Sequence, residues 1–113
     1  MILTDSNNSE TRDLILRDFE LAEPEKPLSD AEMIAYLADA IAYMMEHRMD
    51  FLMSLLYRLD VSEGKIAFAM LPGNPLPANR ALALAVWERQ KQRIATKKSY
   101  SEQNPSNWDW DLD

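Results

Sequence analysis

The chain has 113 residues and a net charge of −7, from 12 basic and 19 acidic side chains. It has no cysteine, one histidine and two glycines, which excludes disulfides, thiol catalysis, thiolate metal sites and multi-histidine zinc centres. Two glycines are also too few for a P-loop or a dinucleotide fingerprint, and the acidic balance argues against nonspecific nucleic-acid binding by the whole surface.

Length alone fits one domain. Size scaling gives roughly 6,300 Å² of folded surface against roughly 19,000 Å² unfolded, so a core is affordable without covalent staples. The first residues, Met1 to Asn7, lack a basic n-region and an apolar h-region, so no secretory signal is expected. The most apolar stretch, Ala31 to Met45, is interrupted by Asp39 and closed by Glu46, too short and too charged to span a bilayer. The expected compartment is the cytoplasm, with no membrane partner.

Residues 1–28 read as an N-terminal arm. Asp5 to Glu10 has the composition of a disordered segment. The apolar cluster Leu14, Ile15, Leu16, Phe19 and Leu21 suits a short helix or an extended arm docked by its apolar side. Glu23-Pro24-Glu25-Lys26-Pro27 is a stiff linker, because each proline fixes φ and lacks a donor.

The first strong helix begins after Ser29, where Ser29 and Glu32 have capping-box spacing. Ile34, Leu37, Ile41 and Met44 or Met45 form its buried stripe, while Glu32, Asp39, Glu46 and Asp50 fall on the opposite side. Thirteen of the 17 residues from Asp30 to Glu46 are apolar, so Tyr36, Ala40 and Tyr43 widen the apolar surface to a second side. A helix of that kind is central to its bundle or touches another chain. Asp50 is the expected N-cap of a second helix to Leu59, with Phe51, Leu52, Leu55, Leu56 and Leu59 inward. Ser62 caps a third, Glu63 to Met70, with Ile66, Ala69 and Met70 inward. Leu71 to Pro77 holds three prolines and a glycine and is a rigid loop. The last helix is expected from about Ala78 to Lys98, with Leu84, Trp87, Lys91 and Ile94 on one side. The prediction is an all-α, four-helix domain over 29–98, followed by an acidic–aromatic tail over 99–113.

Charge is unevenly spread. Residues 1–60 carry −8, residues 80–98 carry +5 and residues 99–113 carry −4. In the tail, Trp108, Trp110 and Leu112 alternate with Asp109, Asp111 and Asp113. Such a segment can place aromatic anchors in a pocket while its acids steer toward a basic rim. Trp108, Trp110 and Leu112 are therefore the candidate partner-binding residues, docking on another protein, on this chain's basic helix, or on a second copy in a homodimer. Arg89, Arg93 and Lys97 stand four apart on the last helix and give the alternative, phosphate contacts to nucleic acid. A pairing of that stripe with acidic segments of the same chain explains it equally.

Other constellations carry less. His47 beside Glu46, with Tyr43 and Tyr57, could line a small-molecule pocket, but no nucleophile is placed by any motif and a helix-end histidine is the plainer reading. The acidic stripe lacks the Glu-x-x-His pairs of a di-metal bundle. Seven methionines suit either core filling or an adaptable surface. No catalytic residue, metal or cofactor is implied.

Two stretches, Tyr57 to Ile66 and Glu88 to Lys98, resemble segments of short, uncharacterised bacterial helical proteins. The resemblance covers about residues 30–100 and implies a bacterial origin and an all-helical fold, with no activity attached. The functional expectation is a noncatalytic interaction or adaptor protein.

Overall fold

The computed structural model describes the backbone of residues 2–103 and the side chains of residues 9–98. Among the described residues the fold is all-helical, with five helices: α1 Ile2–Asp18, α2 Asp30–His47, α3 Met49–Arg58, α4 Glu63–Ala69 and α5 Ala78–Gln103. None is long and apolar enough to cross a membrane.

α2 and α5 form the central pair, and α1, α3 and α4 pack around them. α2 contributes Met33, Leu37, Ala38, Ile41 and Met44 to the core, a 3–4 spaced stripe. The stripe starts one residue earlier than the sequence suggested: Met33 is buried and Ile34 half-buried. Tyr43 is 60% exposed, so the second apolar side of α2 is covered only by way of Tyr36, Ala40 and Met45. α5 faces inward through Leu82, Ala83, Val86, Trp87, Gln90 and Ile94, with Leu84 and Lys91 half-buried.

Both ends of the long helices follow the sequence signals in part. The Ser29–Glu32 capping box is present: the Glu32 amide donates to Ser29 Oγ at 3.1 Å and the Ser29 amide to Glu32 Oε1 at 2.9 Å. The backbone bond from Ser29, and then its hydroxyl, hold the Glu32 carboxyl below its ordinary range. A lowered folded pKa stabilises the fold above the unfolded value, and that contribution is lost as pH falls through the folded value. We expect the stability advantage of the native chain over Glu32→Gln to shrink on acidification through the carboxylate range, as read by thermal melts at stepped pH. Ser29→Ala, which removes the cap itself, is expected to cost about 1 kcal/mol.

Asp50 is not the cap of α3. Arg48 occupies that position, with φ −143° and no side-chain cap bond, and Asp50 sits within the first turn. Its charge still complements the helix dipole there, which is the physical part of the signal that the spacing misassigned. The Arg48 guanidinium instead lies 4.0 Å over the Phe51 ring. Met70, expected inside α4, is 38% exposed, because it falls on the C-cap where the chain turns away.

The segment before residue 28 takes the helical form of the two expected for it, and the helix is longer than its apolar cluster. α1 runs through Asp5–Glu10, the stretch with a disordered composition, and continues to Asp18. Ile15 and Phe19 are fully buried in the same core as α2–α5. Once that C-terminal turn is fixed by packing, each residue added upstream gains a hydrogen bond without a new nucleus. Gln90 of α5, 1% exposed, donates from Nε2 to Asp18 Oδ2 at 3.1 Å and so ties the two helices. The Tyr36 hydroxyl donates to the Ala22 carbonyl at 2.6 Å and fastens the start of the Pro24–Pro27 linker to α2. At the other end α5 continues to Gln103, five residues into the segment assigned to the tail.

α1 and α3 close in the same way. At α1, Glu20 has φ 56°, its amide bonds the Arg17 carbonyl, and Leu21 bonds the Leu16 carbonyl. At α3, Asp60 has φ 67°, bonding Tyr57, and Val61 bonds Leu56. This is the Schellman pattern, with an apolar residue after the left-handed position in each case. Glycine normally fills that position because it has no Cβ to clash. Glu20→Gly is therefore expected to raise stability, by about 0.5–1 kcal/mol after the unfolded-state entropy of glycine is counted, as measured by chemical denaturation.

Candidate protein-docking surface

A largely apolar concavity lies between α4 and the first half of α5. Ser62 starts α4 by accepting from the Lys65 amide at 3.1 Å, which sets Ile66 and Ala69 inward and throws Phe68 outward. The chain then reverses. Gly73 takes φ 88°, and Asn74 donates from Nδ2 to the Phe68 carbonyl at 2.9 Å while accepting from the Leu76 amide at 3.0 Å. These two bonds fold the proline-rich loop back on α4, and Leu76 and Phe68 line the same concavity.

The result is a groove of about 380 Å³ with Phe68, Ala69, Leu76, Ala81, Leu84 and Ala85 in its walls, and Lys65 and Glu88 at its rim. Phe68 is 61% exposed, Leu76 40%, and the neighbouring Leu71 55%. Single exposed apolar residues are ordinary, but a cluster around a concavity marks an interaction surface. Ala81 and Ala85 keep the α5 wall low, so an apolar side chain of a partner could reach the helix backbone.

A second depression of about 350 Å³ lies between α1 and the 23–28 linker. Its walls mix Arg12, Asp13, Glu23, Glu25 and Lys26, and Arg12 is held by Asp30 at 3.3 Å. It offers neither a single charge sign nor a continuous apolar wall.

The residues singled out in the sequence are distributed as follows. Trp108, Trp110 and Leu112 lie outside the described residues. Arg89 is committed within the chain: its Nη2 meets Asp60 Oδ2 at 3.0 Å and its Nε donates to the Leu59 carbonyl at 3.4 Å. Arg93 is exposed and donates to Gln90 Oε1 at 3.4 Å; Lys97 is exposed. Among the described residues neither has a carboxylate partner. The +5 segment is thus partly neutralised by pairing inside the fold, with Lys98 on Glu10 at 3.4 Å as the second pair.

His47 stacks on Tyr43 at 4.5 Å between ring centroids and meets Glu46 at 3.4 Å. The histidine side chain is 55% exposed, and Tyr43 and Tyr57 are 60% and 54% exposed. These are rings on the open surface, with no cavity around them among the pockets named above. Glu32, Asp39, Glu46 and Asp50 are all exposed, and among the described residues no three His, Cys, Asp or Glu side chains converge as metal ligands.

The groove was not among the sequence candidates. Its signal is present in α4, where Ile66, Ala67, Phe68 and Ala69 are four consecutive apolar residues, more than one face of a seven-residue helix can bury. Phe68 follows Ile66 by two positions, about 200° around the helix, and so must point away from the core.

No family model, curated protein or solved structure matches this chain.

Proposed function

We propose that this protein is a noncatalytic protein-binding module whose docking surface is the α4–α5 groove, with Trp108, Trp110 and Leu112 as its acidic–aromatic anchor segment. The observation that carries the reading is the exposed pair Phe68 and Leu76 held across a low alanine wall. The chain fixes that pair with two side-chain hydrogen bonds from Asn74 rather than turning it inward. Interfaces draw their affinity from a few such apolar and aromatic anchors surrounded by a polar rim.

The test is a quantitative one. A protein captured by the full chain is purified and titrated against the native chain and Phe68→Glu. We expect the variant to lose at least about tenfold in affinity, the weight of one modest anchor, with its melting temperature unchanged. Equal affinity for both would remove the groove from the reading.

Nucleic-acid binding is the second reading, favoured only by the open Arg93 and Lys97. With Arg89 paired to Asp60, two phosphate contacts remain on this stripe, so any affinity for duplex should be weak and should vanish by moderate salt. Fluorescence anisotropy of a labelled duplex, with and without Arg93→Ala, reads this directly. Tight, salt-resistant binding would reverse the order of the two readings.

A further inference from the structure

We infer that the occupant of the α4–α5 groove is the same face of a second copy of this chain, the two copies being related by a two-fold axis that runs along the groove. The inference rests on the protein-binding reading and names its partner.

Three observations lead there. The first is that one chain carries both halves of a contact. Phe68 is exposed on the α4 wall. The α5 wall is low, because Ala81 and Ala85 add no more than methyl groups to it. A two-fold axis along the groove exchanges the walls, so that α4 of each copy lies against α5 of the other. Each Phe68 ring then covers the alanines of the opposite copy, an aromatic anchor on a small-residue surface.

The second is charge. Lys65 belongs to the α4 wall and Glu88 to the α5 wall. Both are exposed, and neither has an ion-pair partner among the described residues. The groove's lining is therefore neutral, although the chain carries −7. A strongly acidic or strongly basic partner finds no preferred sign there. A second copy finds a match, because exchanging the walls brings each Lys65 to the partner's Glu88, twice per pair. Such rim pairs fix orientation more than they add affinity. The spacing agrees: Lys65 and Phe68 are three residues apart on α4, and Ala85 and Glu88 are three apart on α5, about 4.5 Å along either helix. In one register the apolar and the charged contacts form together.

The third is where the uncovered apolar surface lies. Among the described residues, four of the seven exposed large hydrophobic side chains fall between positions 68 and 76. That is the segment that brings Phe68 and Leu76 to the groove. The chain thus concentrates its open apolar surface at one place, the arrangement that marks an interface.

The experiment is sedimentation of the full chain over a wide concentration range, for the native protein, Phe68→Glu, Lys65→Glu, Glu88→Lys, and an equimolar mixture of the last two. The native chain is expected to form a weak, reversible dimer and Phe68→Glu to stay monomeric. Lys65→Glu and Glu88→Lys each set like charges together twice per pair, and each alone is expected to associate at least about tenfold more weakly. The mixture is expected to recover association, because a rim with two acids then meets a rim with two bases. Circular dichroism melts confirm that the variants stay folded, as the exposure of all three side chains predicts. A native chain that stays monomeric at the highest attainable concentration overturns the inference. So does a dimer that survives Phe68→Glu, which would place the contact elsewhere, or a mixture that associates no more tightly than its parts, which would exclude the exchanged walls. A monomeric native chain that dimerises with Trp108→Ala/Trp110→Ala also overturns it and gives the groove to the chain's own tail. A monomeric native chain whose captured partner is still lost with Phe68→Glu would remove the second copy and leave the protein-binding reading standing.

Discussion

Replacing Phe19 by alanine should lower the stability of the whole chain by about 3–5 kcal/mol, the usual cost of removing a buried aromatic side chain with its cavity. Phe19 is 1% exposed and belongs to one continuous core with Leu37, Ile41, Leu56 and Val86. It follows the last residue of α1, and its amide bonds the Ile15 carbonyl at 3.0 Å, so the ring is set by the helix rather than by a loose arm. Ile15 lies one turn earlier and is equally buried. On a domain of this size the loss corresponds to roughly 10–20 °C in melting temperature. The fold should still unfold in one transition, because α1 and the α2–α5 pair share their core. If residues 1–28 were a peripheral arm, Phe19→Ala would shift the main transition by a degree or two, and a separate low-temperature step would report the arm. Differential scanning calorimetry distinguishes the two outcomes.

That result bears on what a sequence of this kind shows. The helices whose ends carry chemistry were legible: Ser29 and Ser62 both accept from an amide three residues on, and the proline run from 72 to 77 separates α4 from α5. The apolar periodicity of Leu37 and Ile41, and of Leu52, Leu55 and Leu56, places core residues directly. Ends without such chemistry were not legible. The Arg48 junction between α2 and α3 has no capping side chain, and the nearest good capper, Asp50, lies inside the first turn of α3. The two left-handed closures at Glu20 and Asp60 carry no glycine, so nothing in the residue types marks them. Their hydrogen bonds come from the backbone, and the packing of Leu21 and Val61 fixes them.

The site was less legible than the fold for a related reason. An exposed apolar residue gives no local signal, since periodicity arguments treat it as an exception to the buried stripe. Phe68 becomes informative only with Leu76, eight residues on and across a glycine turn, in the lining of the same concavity. The basic stripe shows the reverse case. Arg89, Arg93 and Lys97 are uniform in sequence, but Asp60 has already taken Arg89. Spacing alone cannot show which charges are neutralised by a residue 29 positions away.

The packing of α2 against α5 supports a second large effect, and one that separates the core from the groove. Asn79 donates from Nδ2 to the Ala38 carbonyl at 3.0 Å, so the two helix backbones approach closely at that level. Ala38 and Ala83 are 1% and 0% exposed, and Ala83 lies one turn beyond Asn79 on α5. Close approach of helices requires small side chains where they cross, and an interior at native density has no room for three added carbons. Ala83→Leu should therefore cost about 2–3 kcal/mol through overpacking and displaced backbone, despite leucine being a good helix former and more apolar. Ala85, two positions on, lines the open groove and is half-buried. Leucine there has space on the solvent side, and the expected change is within about 0.5 kcal/mol. Equilibrium denaturation of the two variants measures both. A large loss at position 85 would mean that the groove is filled in the folded chain, and a small loss at 83 would mean that α2 and α5 are not held together at Ala38. The same pair serves the docking reading: Ala85→Leu raises the low wall that a partner's anchor must cross, so it should weaken association while leaving the melting temperature in place.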